Sequence, residues 1–384
     1  MQQKYILTAI FAAGIGAGAA WASGKAIITE FPTASASSLP EGVDIGPDGE
    51  IWYAETSVGK VAVLRSNHTT GEFTVPNGGQ PIIIKVASDG VWFTDGPGHA
   101  IGHLNPATGK IVEYAIPSLS APLFLQIGPD GSKWFSKTTG VGRLAPNGTI
   151  TEWDVTLEHP DDNIEQISLD LSGDLWFVER NFDGAGAAGT NKVRRLNPGT
   201  NVIATYLVPT FGGNPAGVLA NPNGTVWVAE YFANAFALLD PNVAPHTDAV
   251  AQPNSAAAGS NAANSGRTNG NSGIGATTQV ISVIHVANPT FTPGWVEYHI
   301  PTANAQAEDM RIDRHGRLWF EEDTGLLGRL DPRTATFTEF TIPSANSGYF
   351  NIALDQVEDR LWFTEAGVFA PVPTKIGNLT IGDQ

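Results

Sequence analysis

One short phrase recurs along the chain and constrains its fold more than any other feature. A turn rich in Gly, Asp or Ser leads into a strand of the type Ile51-Trp52-Tyr53-Ala54-Glu55. Neighbouring side chains of a strand point to opposite faces, so two adjacent aromatic residues require burial on both faces. The Trp of the phrase returns at Trp92, Trp134, Trp176, Trp227, Trp319 and Trp362. Seven copies of an all-strand unit predict a closed ring of small sheets, each packed between two neighbours.

Each unit carries four strand patterns, and the Trp strand is the second of them. The chain is therefore expected to be all-β, a seven-bladed β-propeller of four-stranded blades over residues 27–384. A strand of the fourth type, Ile28 to Pro32, stands before the first Trp strand, and the chain ends on a strand of the third type, Lys375 to Thr380. We expect the N-terminal strand to complete the last blade as its outer strand, which closes the ring without a covalent bond.

The Trp positions are evenly spaced except between Trp227 and Trp319. Residues 242–293 fill this gap and are rich in Ala, Asn, Ser and Gly. Their low hydrophobicity predicts a disordered, low-complexity insertion within blade five that hangs from the bottom rim. Residues Val280 to Val286 are more strand-like and are expected to extend the edge of blade five. The alternative for the whole gap is an eighth blade. Deletion of 244–278 is expected to leave folding intact.

The chain carries a formal net charge of −17 and no Cys. Scattered acidic residues indicate a soluble acidic surface and exclude a nucleic-acid partner, which needs clustered Lys and Arg. Residues 1–22 have the features of a signal peptide, with Lys4, an apolar run from Ile6 to Ala19 and a cleavage site at Ala20-Trp21-Ala22. The alternative is a membrane anchor. A secreted or periplasmic monomer without a membrane span is expected.

Ligands of propellers usually lie at the top mouth of the channel, where loops of all blades converge. One residue of each innermost strand is expected to point into this mouth. These residues are Glu41, Ile82, Leu123, Glu165, Ala216, Glu308 and either Phe350 or Asn351. Three carboxylates in one cavity predict a site for Mg²⁺ or Ca²⁺, or an acid/base pair with raised pKa values. The alternative is three solvated channel residues.

The candidate roles follow from this placement. Glu308 is the candidate catalytic residue, and Glu41, Glu165 and Glu308 are the candidate metal ligands. The candidate substrate-binding residues are Glu41, Glu165, Asp309, Phe350 and Asn351. A small molecule or a glycan at the channel mouth is the expected ligand. The carboxylates that close the Trp phrases recur in most blades, which indicates a structural role for Glu55, Asp95, Glu179, Glu230, Glu322 and Glu365.

The repeated motifs resemble those of the streptogramin B (virginiamycin B) lyase family. They include Pro40 to Glu55, Val141-Gly142-Arg143-Leu144, Leu327-Gly328-Arg329-Leu330 and Thr338 to Pro343. The resemblance implies a propeller that opens a cyclic depsipeptide by elimination across an ester C–O bond, with Mg²⁺. It places a catalytic His at the mouth position of the last two blades and a Glu two residues before the second. This chain has Glu308, Phe350 or Asn351, and Gly348 there, so neither His is present.

Three classes of function remain open. The first is a lyase-like enzyme or a hydrolase that uses the carboxylates of the mouth. The mouth also resembles, weakly, that of gluconolactonase-type propellers, which bind a divalent cation through Glu, Asn and Asp. That similarity rests on Glu41, Glu165, Glu308 and Asn351. The second is a non-catalytic propeller that binds a ligand or carbohydrate outside the cell. The third is a protein-interaction scaffold with the insertion as its docking segment. Retention of a cation would separate the first class from the other two.

Overall fold

The computed structural model describes residues 26–157, 159, 162–181, 191–265, 267–271, 275–280, 282–344, 349–366 and 374–381. Over these residues the chain forms seven antiparallel sheets of five strands each. The innermost strands contact one another around a ring, and the first also contacts the seventh. The predicted seven-bladed propeller is confirmed. The predicted signal peptide lies outside the described residues, and within them no helix has the length and apolar character needed to cross a membrane.

Blades one to four take four consecutive strands each, from the innermost outwards. Blade one contains Pro40–Ile45, Ile51–Glu55, Lys60–Leu64 and Thr69–Thr74. Blade two contains Pro81–Ala87, Gly90–Asp95, Ala100–Asn105 and Lys110–Ala115. Blade three contains Pro122–Ile127, Lys133–Lys137, Gly140–Leu144 and Thr149–Asp154. Blade four contains Asp162–Leu169, Leu175–Asn181, Lys192–Asn197 and Val202–Leu207. Two 3₁₀ helices lie at Thr56–Val58 and Pro76–Gly78.

Blades five to seven complete the ring. Blade five contains Pro215–Ala220, Val226–Glu230, Ala235–Leu239 and Trp295–His299. Blade six contains Met310–Ile312, Leu318–Glu322, Leu326–Asp331 and Thr336–Thr341. Blade seven contains Tyr349–Asp355, Arg360–Glu365, Lys375–Ile381 and Ala26–Pro32. The last two strands pair antiparallel, so the N-terminal strand closes the ring as the sequence predicts.

Blade six shows why the phrase places two aromatic residues side by side. Trp319 and Phe320 are both buried but belong to different apolar clusters. Trp319 packs with Phe363 of blade seven, while Phe320 packs with Phe236 of blade five at 4.6 Å between ring centroids. One strand therefore fills both interfaces of its blade, and this two-sided burial holds neighbouring blades together.

The third strand accommodates the second aromatic residue with a glycine. Phe320 and Gly328 are cross-strand partners, and the Phe320 ring lies where a Cβ of residue 328 would be. We expect Gly328→Ala to lower the free energy of unfolding by roughly 1–3 kcal/mol, because the core cannot accept the added methyl group without shifting the ring. Thermal denaturation measures this. Gly259→Ala is the control, since its Cβ would lie 3.9 Å from that of Ala115, and an equal loss of stability there would contradict the explanation.

The described residues of the insertion in blade five form strands, which corrects the prediction of disorder for them. It forms seven short strands at His246–Val250, Asn254–Ala257, Gly259–Asn264, Arg267–Asn271, Ala276–Val280, Ser282–Val286 and Thr290–Thr292. Each pairs with the outer strand of one blade, in the order four, three, two, one, seven, six and five. We call these strands the belt. The predicted extension of blade five by Val280 to Val286 is wrong, because Ser282–Val286 pairs with blade six. The described residues contain no eighth blade.

Sheet twist explains how one segment can reach every blade. Adjacent strands rotate by roughly 20–25°, so the fifth strand of a blade lies at roughly 80–100° to the innermost one. The innermost strands line the channel, and the fifth strands therefore follow the circumference of the ring. Extended chain rises about 3.3 Å per residue, so a segment as long as 246–292 can reach roughly 155 Å when fully extended.

Candidate functional site

The mouth positions lie at irregularities of the innermost strands. Pairing with the second strand shifts register between Pro40 and Val43 in blade one and between Ile164 and Ile167 in blade four. Blade seven shifts between Tyr349 and Ile352. A β-bulge of this kind turns side chains away from the regular alternation of the sheet. The residues within the shifts include Glu41, Glu165, Phe350 and Asn351.

Five side chains of blades four, five and six form a continuous polar cluster at one side of the mouth. Arg180 of blade four approaches Glu308 of blade six, with 2.5 Å between Nη1 and Oε1. Glu165 interacts electrostatically with both of these charges. The Arg180 guanidinium also lies over the Tyr231 ring of blade five, 4.3 Å from its centroid. The Tyr231 hydroxyl donates a 2.6 Å hydrogen bond to Asp323 of blade six. We call these five residues the mouth cluster.

Burial and neighbouring charges set the protonation of the cluster. Burial is the main cause that raises the pKa of Glu165, Arg180 lowers it and the negative charge of Glu308 raises it, and the net pKa is about 7. Burial and the adjacent Asp323 carboxylate raise the pKa of Tyr231, so its hydroxyl keeps its proton at neutral pH. Glu165 can therefore exchange a proton near neutral pH while Tyr231 remains a hydrogen-bond donor. The side chain of Glu308 is 27% exposed and connects the cluster to solvent.

Two amide side chains hold the strand end that carries Arg180. The Asn181 backbone N–H donates to Asn214 Oδ1 at 2.9 Å, and Asn214 Nδ2 donates back to the Asn181 carbonyl at 2.9 Å. Asn181 Nδ2 also donates to Asp162 Oδ1 at 2.8 Å. All three side chains are buried. These bonds join blade four to blade five, so the position of the guanidinium is set by the framework before any ligand arrives.

Arg180, Tyr231 and Asp323 were not among the sequence candidates, although a signal for them exists. Each directly follows the carboxylate that closes a Trp phrase, which is Glu179, Glu230 or Glu322. The same position holds Thr56, Gly96, Thr138 and Ala366 in the other blades. The end of a second strand points towards the mouth, so the residue after the phrase is a second ring of mouth positions beside that of the innermost strands.

Asp309, a candidate substrate-binding residue from the sequence, lies in a buried network of hydrogen bonds. It is 1% exposed, and its carboxylate accepts hydrogen bonds from Gln166 Nε2 and Asn351 Nδ2, both at 2.7 Å, and from the Ile352 N–H at 2.9 Å. Arg311 Nη1 lies 2.5 Å from the same carboxylate. Gln166 and Asn351 in turn accept from the backbone of blades five and one. Asp309 and Asn351 therefore join blades across the channel, and their contact with a substrate stays a prediction.

Glu41 belongs to blade one. Burial raises its pKa to about 7. The nearby Thr56 hydroxyl, which donates to the Pro81 carbonyl at 2.7 Å, partly offsets the effect of burial on the Glu41 pKa. Phe350 lies in the strand Tyr349–Asp355, but its side chain and Gly348 lie outside the described part.

The predicted cation site at Glu41, Glu165 and Glu308 stays a prediction. In this structure the Arg180 guanidinium lies beside Glu165 and Glu308 and compensates their negative charge. Across the described residues, no three His, Cys, Asp or Glu side chains are arranged to hold a metal ion.

The carboxylates that close the Trp phrases form a separate, buried set. In five blades each one lies beside a second carboxylate from the outer strand, and we call these the acid pairs. They are Glu55–Glu72, Asp95–Glu113, Glu230–Glu297, Glu322–Glu339 and Glu365–Glu30. Blade four replaces the pair with an ion pair between Glu179 and Arg194, and blade three with one between Lys137 and Glu152 at 3.6 Å. These contacts lie within the blades, in agreement with a structural role.

Comparison with known proteins gives one consistent result. The profile of the Virginiamycin B lyase family matches residues 22–239. A virginiamycin B lyase of Nocardia farcinica (strain IFM 10152) is 27% identical over 203 residues, which cover 52% of this chain, and the chain spans 66% of that relative's length. A streptogramin B lyase structure covers 93% of this chain and 98% of its own, with a TM-score of 0.69 and 22% identity.

A second solved structure, a catalytically inactive virginiamycin B lyase variant from Staphylococcus aureus with quinupristin, has a TM-score of 0.69 and 22% identity. It covers 92% of this chain and 99% of its own. At this identity the two solved structures establish the shared fold. The family profile matches more than half of the chain. On that match, this propeller belongs to the virginiamycin B lyase family.

Proposed function

We propose that this propeller is a lyase that opens cyclic esters by elimination, with the mouth cluster as its active site. The observation that carries the proposal is the contact of Arg180 with Glu308 beside the buried Glu165, which combines a fixed cation with a carboxyl group that titrates near neutral pH. Family membership supports the same class of reaction. Elimination next to a carbonyl needs a base and a group that stabilises negative charge on oxygen, and both are present.

The residues take the following roles. Glu165 removes a proton from the carbon next to a substrate carbonyl, the electron pair forms a carbon–carbon double bond, and the ester C–O bond breaks to release a carboxylate. Arg180 stabilises the charge that develops on the carbonyl oxygen. Glu308, the catalytic candidate from the sequence, holds Arg180 in place through their ion pair. The Tyr231 ring packs against the Arg180 guanidinium and its hydroxyl donates to Asp323, so Tyr231 helps to hold the cation in position. In this scheme the guanidinium takes the electrostatic role for which the sequence suggested Mg²⁺.

The test is incubation of the purified chain with quinupristin, followed by mass spectrometry. Elimination opens the ring without a change of mass, whereas hydrolysis adds one water. An unchanged mass with a linear product supports the proposal. Addition of water would instead favour a hydrolase of the gluconolactonase type. Saturable binding without any product would favour a non-catalytic ligand-binding propeller.

Glu165→Gln is expected to lower kcat/KM by about 100-fold or more, because a general base contributes at least that factor. In the wild type, kcat/KM is expected to rise with pH through about 7, where Glu165 loses its proton. Glu358→Gln makes the same chemical change on an exposed hairpin of blade seven and serves as the control. Equal activity of Glu165→Gln and the control would remove Glu165 from the mechanism.

Two expectations from the sequence stay predictions. Calorimetric titration of metal-stripped protein with Mg²⁺ and with Ca²⁺ tests for a cation; saturable binding lost in Glu308→Gln would establish the cation site and displace Arg180 from its proposed role. Mass analysis of the protein released by a secreting host tests cleavage after Ala22 and a secreted or periplasmic location.

A further inference from the structure

The belt contacts successive blades through equivalent backbone hydrogen bonds. Ala251, Ala258 and Ser265 are spaced seven residues apart and lie where the belt passes from one blade to the next. Their backbone N–H groups donate to carbonyls at 2.8, 3.0 and 3.1 Å. The acceptors are Asn201, Gly148 and Gly109, each the last residue of the turn between the third and outer strands of a blade. Ala287 repeats this contact with Ala335 of blade six at 2.7 Å.

All four acceptor residues share one backbone feature. They have positive φ values, from 51° at Ala335 to 84° at Gly148. The turn in each of these blades ends in the left-handed conformation and presents its carbonyl to the passing belt. The belt residues at these points are small, and Ala251, Ala258 and Ala287 pack against the apolar clusters beneath them. The belt therefore has a defined contact at the boundary between blades. We call the four belt residues Ala251, Ala258, Ser265 and Ala287 the crossing residues.

The two halves of the belt are held differently. On blades four to one, side chains are mostly exposed, as along His246–Val250, where all five are. That half depends on backbone pairing and on the crossing residues. On blade seven, Val280 is 7% exposed and packs with Ile28 and Phe340. Apolar burial thus fixes the second half more firmly than the first, and displacement is expected to begin on blades four to one.

The outer strand of each blade would be an edge strand without the belt. An unpaired edge presents a row of N–H and C=O groups that pair readily with a strand of another chain. We propose that the belt shields a strand-accepting surface that runs around the propeller, and that a strand of a second copy of this chain occupies this surface when the belt is displaced. The matched occupant is the belt of that second copy, because its crossing residues fit the same turns. The belt keeps the chain monomeric.

The test uses the full chain with three lysines placed in two ways. The crossing variant carries Ala251→Lys, Ala258→Lys and Ala287→Lys. The matched control carries Ser255→Lys, Ser260→Lys and Thr290→Lys, which change the charge equally at exposed belt positions. Hydrogen exchange measures the belt amides, and light scattering after size-exclusion chromatography measures the mass.

The crossing variant is expected to exchange its amides over 246–271 at least 10-fold faster than the control and to form dimers and larger species as concentration rises. The control is expected to remain monomeric with a protected belt. A crossing variant whose belt opens but whose mass stays that of the monomer would overturn the proposal. A crossing variant with a protected belt would overturn it as well, since the crossing contacts would not hold the belt. Deletion of 244–278 removes the belt strands that two copies would exchange, so the deleted chain is not expected to form dimers by this route.

Discussion

Raising the pH from about 7 to 9.5 is expected to lower the melting temperature of this propeller steeply. In each acid pair one carboxyl group has a raised pKa because it is buried beside another carboxylate. The pKa rises to about 7 for Glu113, about 8 for Glu55, Glu322 and Glu365, and about 9 for Glu230. Five blades therefore hold a proton that water would remove from an exposed glutamate.

The sign follows from proton linkage. A glutamate in the unfolded chain has a pKa of about 4.3, so between that value and about 9 the folded protein binds more protons than the unfolded one. Stability from these groups is fully present below about pH 4.3 and is lost as the pH rises through about 7 to 9. Partners with a lowered pKa, such as Glu72 at about 2, act in the opposite direction, but their effect is complete well below neutral pH.

Glu230→Gln tests the linkage at one pair. Glu230 is 1% exposed, and Gln preserves its shape without an ionisable proton. One unit of pKa shift corresponds to about 1.4 kcal/mol, and pH 7 lies about two units below the folded pKa of Glu230. The stability of the variant relative to the wild type is therefore expected to rise by roughly 2–3 kcal/mol between pH 7 and 9.5. Calorimetric melting at pH 7 and 9.5 measures this, with Glu358→Gln as the exposed control. A wild-type melting temperature that stays constant up to pH 9.5 would rule out protonated acid pairs.

Asp309→Ala is expected to destabilise the propeller by roughly 3–5 kcal/mol. The substitution leaves Arg311 as a cation without its carboxylate and removes the acceptor of Gln166, Asn351 and the Ile352 N–H inside the ring. Removal of one partner from a buried ion pair costs this much because the remaining charge stays unpaired in a poorly solvated environment. Those groups belong to blades four, six and seven, so the loss weakens ring closure at several interfaces.

A surface ion pair provides the control for Asp309. Asp359 is 43% exposed and contacts Arg314, so Asp359→Ala removes the same kind of pair in contact with solvent. Exposed pairs contribute about 0–1 kcal/mol. Urea unfolding of both variants measures the difference. Similar midpoints for the two variants would show that the channel network does not hold the blades together.

The mouth of the channel was predicted only in part from the sequence. The strand pattern located Glu165 and Glu308 at the mouth, because each stands at a fixed distance before a Trp phrase. It also grouped Glu41 with them, although Glu41 of blade one is not among the charges that shift the pKa of Glu165. Counting along a repeat determines which residues share a level of the channel. It does not determine which blades bring their side chains into contact.

Arg180 and the belt illustrate a second limit. Arg180 was not a sequence candidate, because its contact with Glu308 joins residues distant in sequence. The belt looked disordered because Ala, Ser, Asn and Gly form strands poorly on their own. The segment forms strands because it pairs with the outer edges of existing blades. It also donates hydrogen bonds to the turn carbonyls of Asn201, Gly148 and Gly109.

The number of blades and the closing strand could be predicted because they depend on local patterns, above all adjacent aromatic residues that need two buried faces. Which charges meet at the mouth, and where the low-complexity segment lies, could not be predicted in this way. Both depend on ring closure and on the accumulated twist of each blade, which bring together groups whose separation along the chain carries no periodic signal.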